Sequence, residues 1–302
     1  MKIYFNKYTI AAYFLFSFIG GISAQYAPTS ASQSLLWRIS GKELKAVSYL
    51  YGTIHIIPKK DFFVSDSVEL ALLNSERVAF EIDMDKATNI FGQLALLRRT
   101  FMKGDTTLDM LLTKKEYALV QKKMNLNGPM AKFLNRIKPM FLSTIVDGQV
   151  TPKGATESYE MTFYKMAKES GKKVEGLETM KYQMSVFDTI PYKVQAKMLV
   201  EGLKKGKSDE KDGMDELVKL YRAQDLVGLG EMFKSDEGLM KYDDIMLNNR
   251  NRNWIPVMAK KMKKRTYFFA VGAGHLVGEK GVIALLRKSG YIVEPIFFNI
   301  KN

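Results

Sequence analysis

Apolar and polar residues change rhythm twice along this chain. Residues 35–39 and 45–51 alternate around Gly41-Lys42, and the pattern predicts a β-hairpin. Pro58 stops regular structure. Ser65 reads as a helix N-cap, with Asp66 in the first turn and Val68, Leu72 and Leu73 at helical spacing. Residues 77–84 form a short apolar run with Glu81 and Asp83 embedded, which predicts a buried strand. From about residue 87 the spacing turns helical, over 90–103, 114–124, 130–145, 157–169, 182–203, 209–223, 226–233 and 243–263. Pro139, Pro191 and Pro256 are expected to kink or divide three of these segments. One short strand, 173–178, interrupts them. The strand rhythm returns at the end: a strand over 266–271, a helix over 281–289 and a strand over 291–298. The Met-rich helical faces read as adaptable core.

The two strand-rich ends echo each other. Gly52-Thr53-Ile54-His55 follows the second strand, and Gly272-Ala273-Gly274-His275 follows the strand at 266–271. His55 and His275 are the only histidines of the chain. Each end reads strand, Gly-x-x-His, helix, strand, and each last strand carries an acid, Glu81 or Glu294. The expected architecture is α/β (α+β): a central sheet built from these two units, covered by a large helical middle insertion at about 87–263. Loops at strand ends are where such folds place their sites. If both turns leave the same sheet edge, His55, His275 and Glu81 converge. Two imidazoles and a carboxylate permit either of two chemistries. They can ligate a divalent metal that activates water, or work without metal, one histidine as general base oriented by Glu81 and the other stabilising charge. Neither His-Glu-x-x-His nor Gly-x-Ser-x-Gly is present. Arg250-Asn251-Arg252-Asn253-Trp254 adds a guanidinium able to hold a carboxylate or oxyanion in paired hydrogen bonds, or else a polar helix face beside a core tryptophan.

Composition changes the picture at three points. Residues 1–24 carry Lys2 and Lys7, an apolar stretch from 10 to 19 and small residues ending in Ser23-Ala24. This is the layout of a secretory signal peptide with cleavage after Ala24. The apolar core is shorter than the roughly 20 residues a spanning helix needs, so no stable membrane span is expected after cleavage. Residues 25–302 are read as a single domain. Absence of cysteine excludes a thiol nucleophile and Cys-built metal sites, and with export it suggests a periplasmic or secreted protein. The formal net charge is +14, falling by two when Lys2 and Lys7 leave. The lysines are scattered along helical patterns as solvated faces, no nucleic-acid motif accompanies them, and no nucleic-acid partner is expected.

Together these residues resemble the TraB/GumN family, to which the Tiki metalloproteases are related. The opening lies in Leu36-Trp37-Arg38-Ile39 and Tyr51 to His55, and the acidic strand in Phe80-Glu81-Ile82-Asp83. The middle lies in Glu160-x-x-Phe163, Ala167-x-x-x-Gly171-Lys172 and Gly176-Leu177-Glu178-Thr179 with Gln183. Arg250-Asn251-x-x-Trp254 and Ala270 to Leu276 supply the late motifs. The resemblance implies an α/β core with two Gly-x-x-His motifs and an essential glutamate, supporting metal-dependent proteolysis responsive to Mn or Co. Carried over, it assigns catalysis and metal binding to His55, Glu81 and His275, and substrate contacts to Arg250, Asn251 and Glu160. At Glu160 the family more often has Asp. The expected activity is an exported hydrolase acting on a peptide or protein with a divalent ion (Mn, Co or Zn). The alternatives are a metal-free His/Glu hydrolase and a non-catalytic periplasmic protein that captures a peptide or haem-like ligand.

Overall fold

The computed structural model describes residues 34–124, 128–142, 156–204, 207–234 and 242–300. The expected signal segment and the end of the helix expected at 130–145 lie outside them. Eight strands are described: β1 (Leu36–Ser40), β2 (Ser48–Thr53), β3 (Ile57–Pro58), β4 (Arg77–Ile82), β5 (Thr156–Glu157), β6 (Lys173–Glu178), β7 (Tyr267–Gly272) and β8 (Ile292–Ile296). β3 and β5 pair as a small separate ribbon. The other six form one sheet in the order β6-β4-β7-β2-β1-β8. This is the expected α/β architecture, with a central sheet and extensive helix.

Four neighbouring strands, β6, β4, β7 and β2, run parallel, whereas β1 lies antiparallel to both β2 and β8. Strand composition follows position. β7, in the interior of the sheet, is buried at every residue as Tyr-Phe-Phe-Ala-Val-Gly, as a strand covered on both faces requires. β1 instead sends Arg38 outward to Glu294 (2.6 Å). Because the four parallel strands share a direction, their C-terminal ends line one sheet edge. Thr53 lies opposite Gly272 and Ile82 opposite Glu178.

The echo between the two ends is half preserved. β2 and β7 are neighbours, so the two Gly-x-x-His turns leave the sheet side by side. The strands that close the units do not correspond. β4 pairs with β7, but β8 pairs with β1 at the opposite edge, and its Glu294 is half-exposed in the ion pair with Arg38. Glu294 is therefore no counterpart of the buried Glu81.

The middle of the chain packs in two ways. Tyr159–Glu169, Lys207–Arg222 and Asn249–Met262 contribute to the core around the sheet. Buried residues of 96–142 and 184–203, with Met246, build a second apolar cluster of mainly helical residues. Pro191 separates the helices Met180–Phe187 and Tyr192–Lys204, as expected. Pro256 does not end its helix: Asn249–Met262 runs through it. Pro256 and Arg252, the residue four earlier whose carbonyl loses its intrahelical partner, are both exposed. A π-helical turn, Asp244–Asn248, precedes this helix.

Candidate active site

Four strand ends deliver the site. β4 carries Glu81 and β6 ends in Glu178; β2 ends at Thr53, two residues before His55, and β7 ends at Gly272, three before His275. Glycine matters at the first turn because of close approach. A side chain at Gly52 would meet Leu276 Cδ2 at 3.1 Å and Ala273 Cα at 3.2 Å, so the first turn packs against the second only without a Cβ. Tyr221 Oη donates to Gly52 O (2.9 Å) from within the buried aromatic cluster below, anchoring the same turn.

Gly272 marks the centre. A Cβ there would lie 3.4 Å from Glu81 Oε1, 3.7 Å from His55 Nε2 and 3.7 Å from His275 Cδ2. The three side chains expected to act together thus surround one space about the size of a methyl group. Glu81 is buried and fully engaged. Its Oε1 accepts from Gly272 N (3.0 Å), and its Oε2 accepts from Gln183 Nε2 (2.8 Å) and Arg250 Nη2 (2.6 Å). Burial alone would raise its pKa. Arg250, His275, His55 and the Gly272 amide outweigh that and hold it well below the usual carboxylate range.

Each histidine is oriented through Nδ1. Asn251 Nδ2 donates to Lys280 O (3.0 Å), which leaves Asn251 Oδ1 as acceptor for His275 Nδ1 at 2.6 Å. His275 therefore carries its proton on Nδ1 and its lone pair on Nε2. That lone pair meets Arg250 Nη1 at 3.1 Å and lies 3.7 Å from Glu81 Oε1. Burial, reinforced by Arg250, lowers the His275 pKa to about 3, so the ring is neutral. His55 Nδ1 lies 2.7 Å from Glu160 Oε1. Burial works to lower its pKa, but the charge and hydrogen bond of Glu160, with Glu81 beyond, prevail and raise it to about 9. Glu160 sits in the first turn of Tyr159–Glu169 and also accepts from Thr53 Oγ1 (2.6 Å) and Ser158 Oγ (3.2 Å).

Arg250 is 2 % exposed and follows the π-helical turn. Besides Glu81 and His275 it reaches Glu178 through Nε (3.0 Å) and Nη2 (2.7 Å), and Met246 O through Nη1 (3.1 Å). Trp254 Nε1 donates to the other Glu178 oxygen (2.9 Å), and the Trp254 ring lies 4.4 Å from the His275 ring between centroids. Burial raises the Glu178 pKa despite Arg250. Three carboxylates, Glu81, Glu160 and Glu178, face two cations, Arg250 and protonated His55, so the ionised set is one negative charge in excess.

Of the residues singled out from sequence, His55, Glu81 and His275 meet at Gly272. Arg250 touches two of them, Asn251 holds His275, and Glu160 holds His55. Glu178 and Gln183 belong to the same buried network. They were visible only as letters of the Gly176-Leu177-Glu178-Thr179 stretch and its Gln183. What brings them in is the pairing of β6 with β4, which no local pattern reports.

For a divalent ion the donor types fit: two imidazoles that turn Nε2 inward with Nδ1 held by an outer partner, one carboxylate, and an excess negative charge. The spacing is less direct. Among the described residues, no three His, Asp or Glu side chains are grouped as they stand so as to hold an ion. Arg250 is the intervening group, being hydrogen-bonded to both Glu81 and His275.

Residues 35–295 match the model of the TraB/PrgY/gumN family. A protein named "Metalloprotease TIKI homolog" from Amphimedon queenslandica is 24% identical, with 88% of this chain and 62% of the relative covered. "Metalloprotease TIKI1" from Danio rerio is 22% identical, covering 88% of this chain and 64% of its own length. The chain thus spans less than two thirds of the length of the curated relatives it matches. No solved structure matches the chain.

Proposed function

The chain belongs to the TraB/PrgY/gumN family, and from that premise we propose that it is an exported metal-dependent hydrolase, most directly a peptidase, centred on His55, Glu81 and His275. The observation that carries the reading is the convergence of His55 Nε2, Glu81 Oε1 and the His275 ring on the space beside Gly272. His55, Glu81 and His275 would hold a divalent ion (Mn, Co or Zn), which supplies Lewis acidity and a water that ionises near neutral pH. Asn251 fixes the His275 tautomer so that Nε2 offers its lone pair. Glu160 holds His55 through Nδ1, and His55 Nε2 would offer its lone pair only on giving up the proton that Glu160 favours. Arg250, a rigid fork of donors, is engaged by Glu81, Glu178, His275 and Met246 O, and in this reading it would meet a carbonyl oxygen or carboxylate of a peptide only on releasing one of them. The names of the two relatives agree with a protein or peptide substrate. Export rests on the signal-like residues 1–24. Among the described residues no helix is long and apolar enough to cross a membrane.

His275→Ala is expected to abolish peptide-library cleavage in the presence of Mn2+, Co2+ or Zn2+ while leaving the circular dichroism spectrum unchanged; cleavage equal to wild type would refute the site. A second reading has one observation in its favour. His55, paired with Glu160 and held protonated near neutral pH, with Arg250 already balancing Glu81, forms a set that needs no metal. Hydrolysis that survives exhaustive chelation would select that reading. Saturable peptide binding without turnover, surviving Glu81→Gln, would select a capture protein instead.

A further inference from the structure

His275 has one lone pair to give. Its Nδ1 proton is committed to Asn251, and its Nε2 accepts from Arg250 Nη1 at 3.1 Å. In this arrangement the imidazole has no electron pair left for an ion. Arg250 Nη2 meanwhile lies 2.6 Å from Glu81 Oε2. One guanidinium therefore engages two of the three groups that the metal-centre reading calls ligands.

The same guanidinium has a second set of partners that does not involve those groups. Nε and Nη2 reach Glu178 at 3.0 and 2.7 Å, and Nη1 reaches Met246 O at 3.1 Å in the π-helical turn. Giving up Glu81 and His275 would leave Arg250 with a carboxylate and a carbonyl, both already in contact. Glu178 is kept in place by Trp254 Nε1 (2.9 Å), whose ring also lies against His275. A buried cation is costly to leave unpaired, and these contacts remove that cost. An ordinary buried ion pair needs one carboxylate for one guanidinium, and here there are two.

We propose that Arg250 is a resident cation that keeps the donor set closed, and that Glu178 is the positioning residue that takes Arg250 over when a divalent ion enters. The proposal rests on the metal-centre reading above and adds to it an exchange of one cation for another. Ion affinity is then set by the competition between Glu81 and Glu178 for one guanidinium. Two charge-conserving substitutions separate this from a field effect. Arg250→Lys keeps the charge but cannot span His275, Glu81 and Glu178 at once. Glu178→Asp keeps the charge but shortens the reach that draws Arg250 away from Glu81.

The experiment is titration of the untagged full chain with Mn2+ alone, followed by the paramagnetic resonance of the free ion. Thermal unfolding confirms that each variant is folded. Arg250→Lys is expected to bind about tenfold more tightly than wild type and Glu178→Asp about tenfold more weakly, the scale of one charge-assisted hydrogen bond withdrawn from or added to a ligand. A structural ion pair predicts no opposite shifts, and a pure field effect predicts none at all. Equal affinity in wild type and both variants, with binding lost in His275→Ala, overturns the proposal and leaves the metal centre standing. Binding by Arg250→Lys but not by wild type overturns the exchange, since Glu178 would then fail to draw Arg250 away and the native chain would be closed to ions. No binding by either overturns both. If Arg250→Lys does not fold, Glu178→Asp decides alone: weaker binding supports the exchange, and equal or tighter binding overturns it.

Discussion

At the scale of single residues, the two histidines are held in opposite protonation states by their neighbours. His55 has a carboxylate on Nδ1 and sits at about 9; His275 has an amide oxygen on Nδ1 and a guanidinium on Nε2, and sits at about 3. Both start from an unfolded value of 6.5, so their contributions to stability slope in opposite directions. For His55, raised on folding, the contribution is complete below about pH 6.5 and is lost as pH rises through about 9. For His275, lowered on folding, stability is lost as pH falls from about 6.5 towards 3, because the unfolded chain takes up a proton that the folded ring refuses. The metal-free protein should therefore be most stable near pH 6.5. Its alkaline loss is on the order of 3 kcal/mol and should be reduced in Glu160→Gln. Unfolding midpoints in chelator across pH 5 to 9 check this, and a midpoint that holds steady or climbs from pH 7 to 9 would contradict it. The histidines and Glu81 were legible in the sequence because two lone histidines shared one local context. Their partners were less so. Asn251 and Glu160 stood out as candidates, but Asn251's contact with His275 and Glu160's with His55 depend on where separate helices dock.

At the scale of elements, the site is made by two turns that touch. Gly52 presses on the backbone of the second turn at Ala273 Cα, whereas the space beyond Gly272 is bounded by side chains at ordinary contact distance. The two glycines should respond differently to the same change. Gly52→Ala pushes a methyl against backbone that cannot yield and is expected to destabilise the fold by about 1–3 kcal/mol. Gly272→Ala is expected to fold nearly as well as wild type, yet to lose activity and ion binding, since its methyl occupies the space between Glu81, His55 and His275. Denaturant unfolding beside Mn2+ titration distinguishes them; equal destabilisation with unaltered binding in Gly272→Ala would show that the space is not the site. The order of the main elements was well marked by spacing and by breaks at Gly41 and Pro191; Pro58, read as a stop, instead pairs with Thr156 in the short β3. Pro256 lies inside its helix rather than dividing it, at an exposed position where the missing backbone donor costs least.

At the scale of the whole molecule, sheet order does what local pattern cannot foretell. Strands far apart in sequence, β2, β4, β6 and β7, lie side by side and in parallel, so their ends present Thr53, Glu81, Glu178 and Gly272 along one edge. The sequence echo suggested that each end supplied its own histidine and its own acid. The topology gives both turns one shared acid, Glu81 on β4, with Glu178 on β6 beside it, and sends Glu294 to the far side. The second apolar cluster of the helical middle packs apart from this edge core but contributes Met184, beside Gln183, and Met246, whose carbonyl receives Arg250.

The central claim is that His55, Glu81 and His275 are one metal centre, and ligand-field absorption of Co2+ added to the untagged protein tests it most directly. Visible bands are expected that saturate at one equivalent of Co2+ and are lost in each of His55→Ala, Glu81→Ala and His275→Ala while the fold persists. Bands that survive any one of the three substitutions unchanged, or none in folded wild type and Arg250→Lys alike, would contradict it.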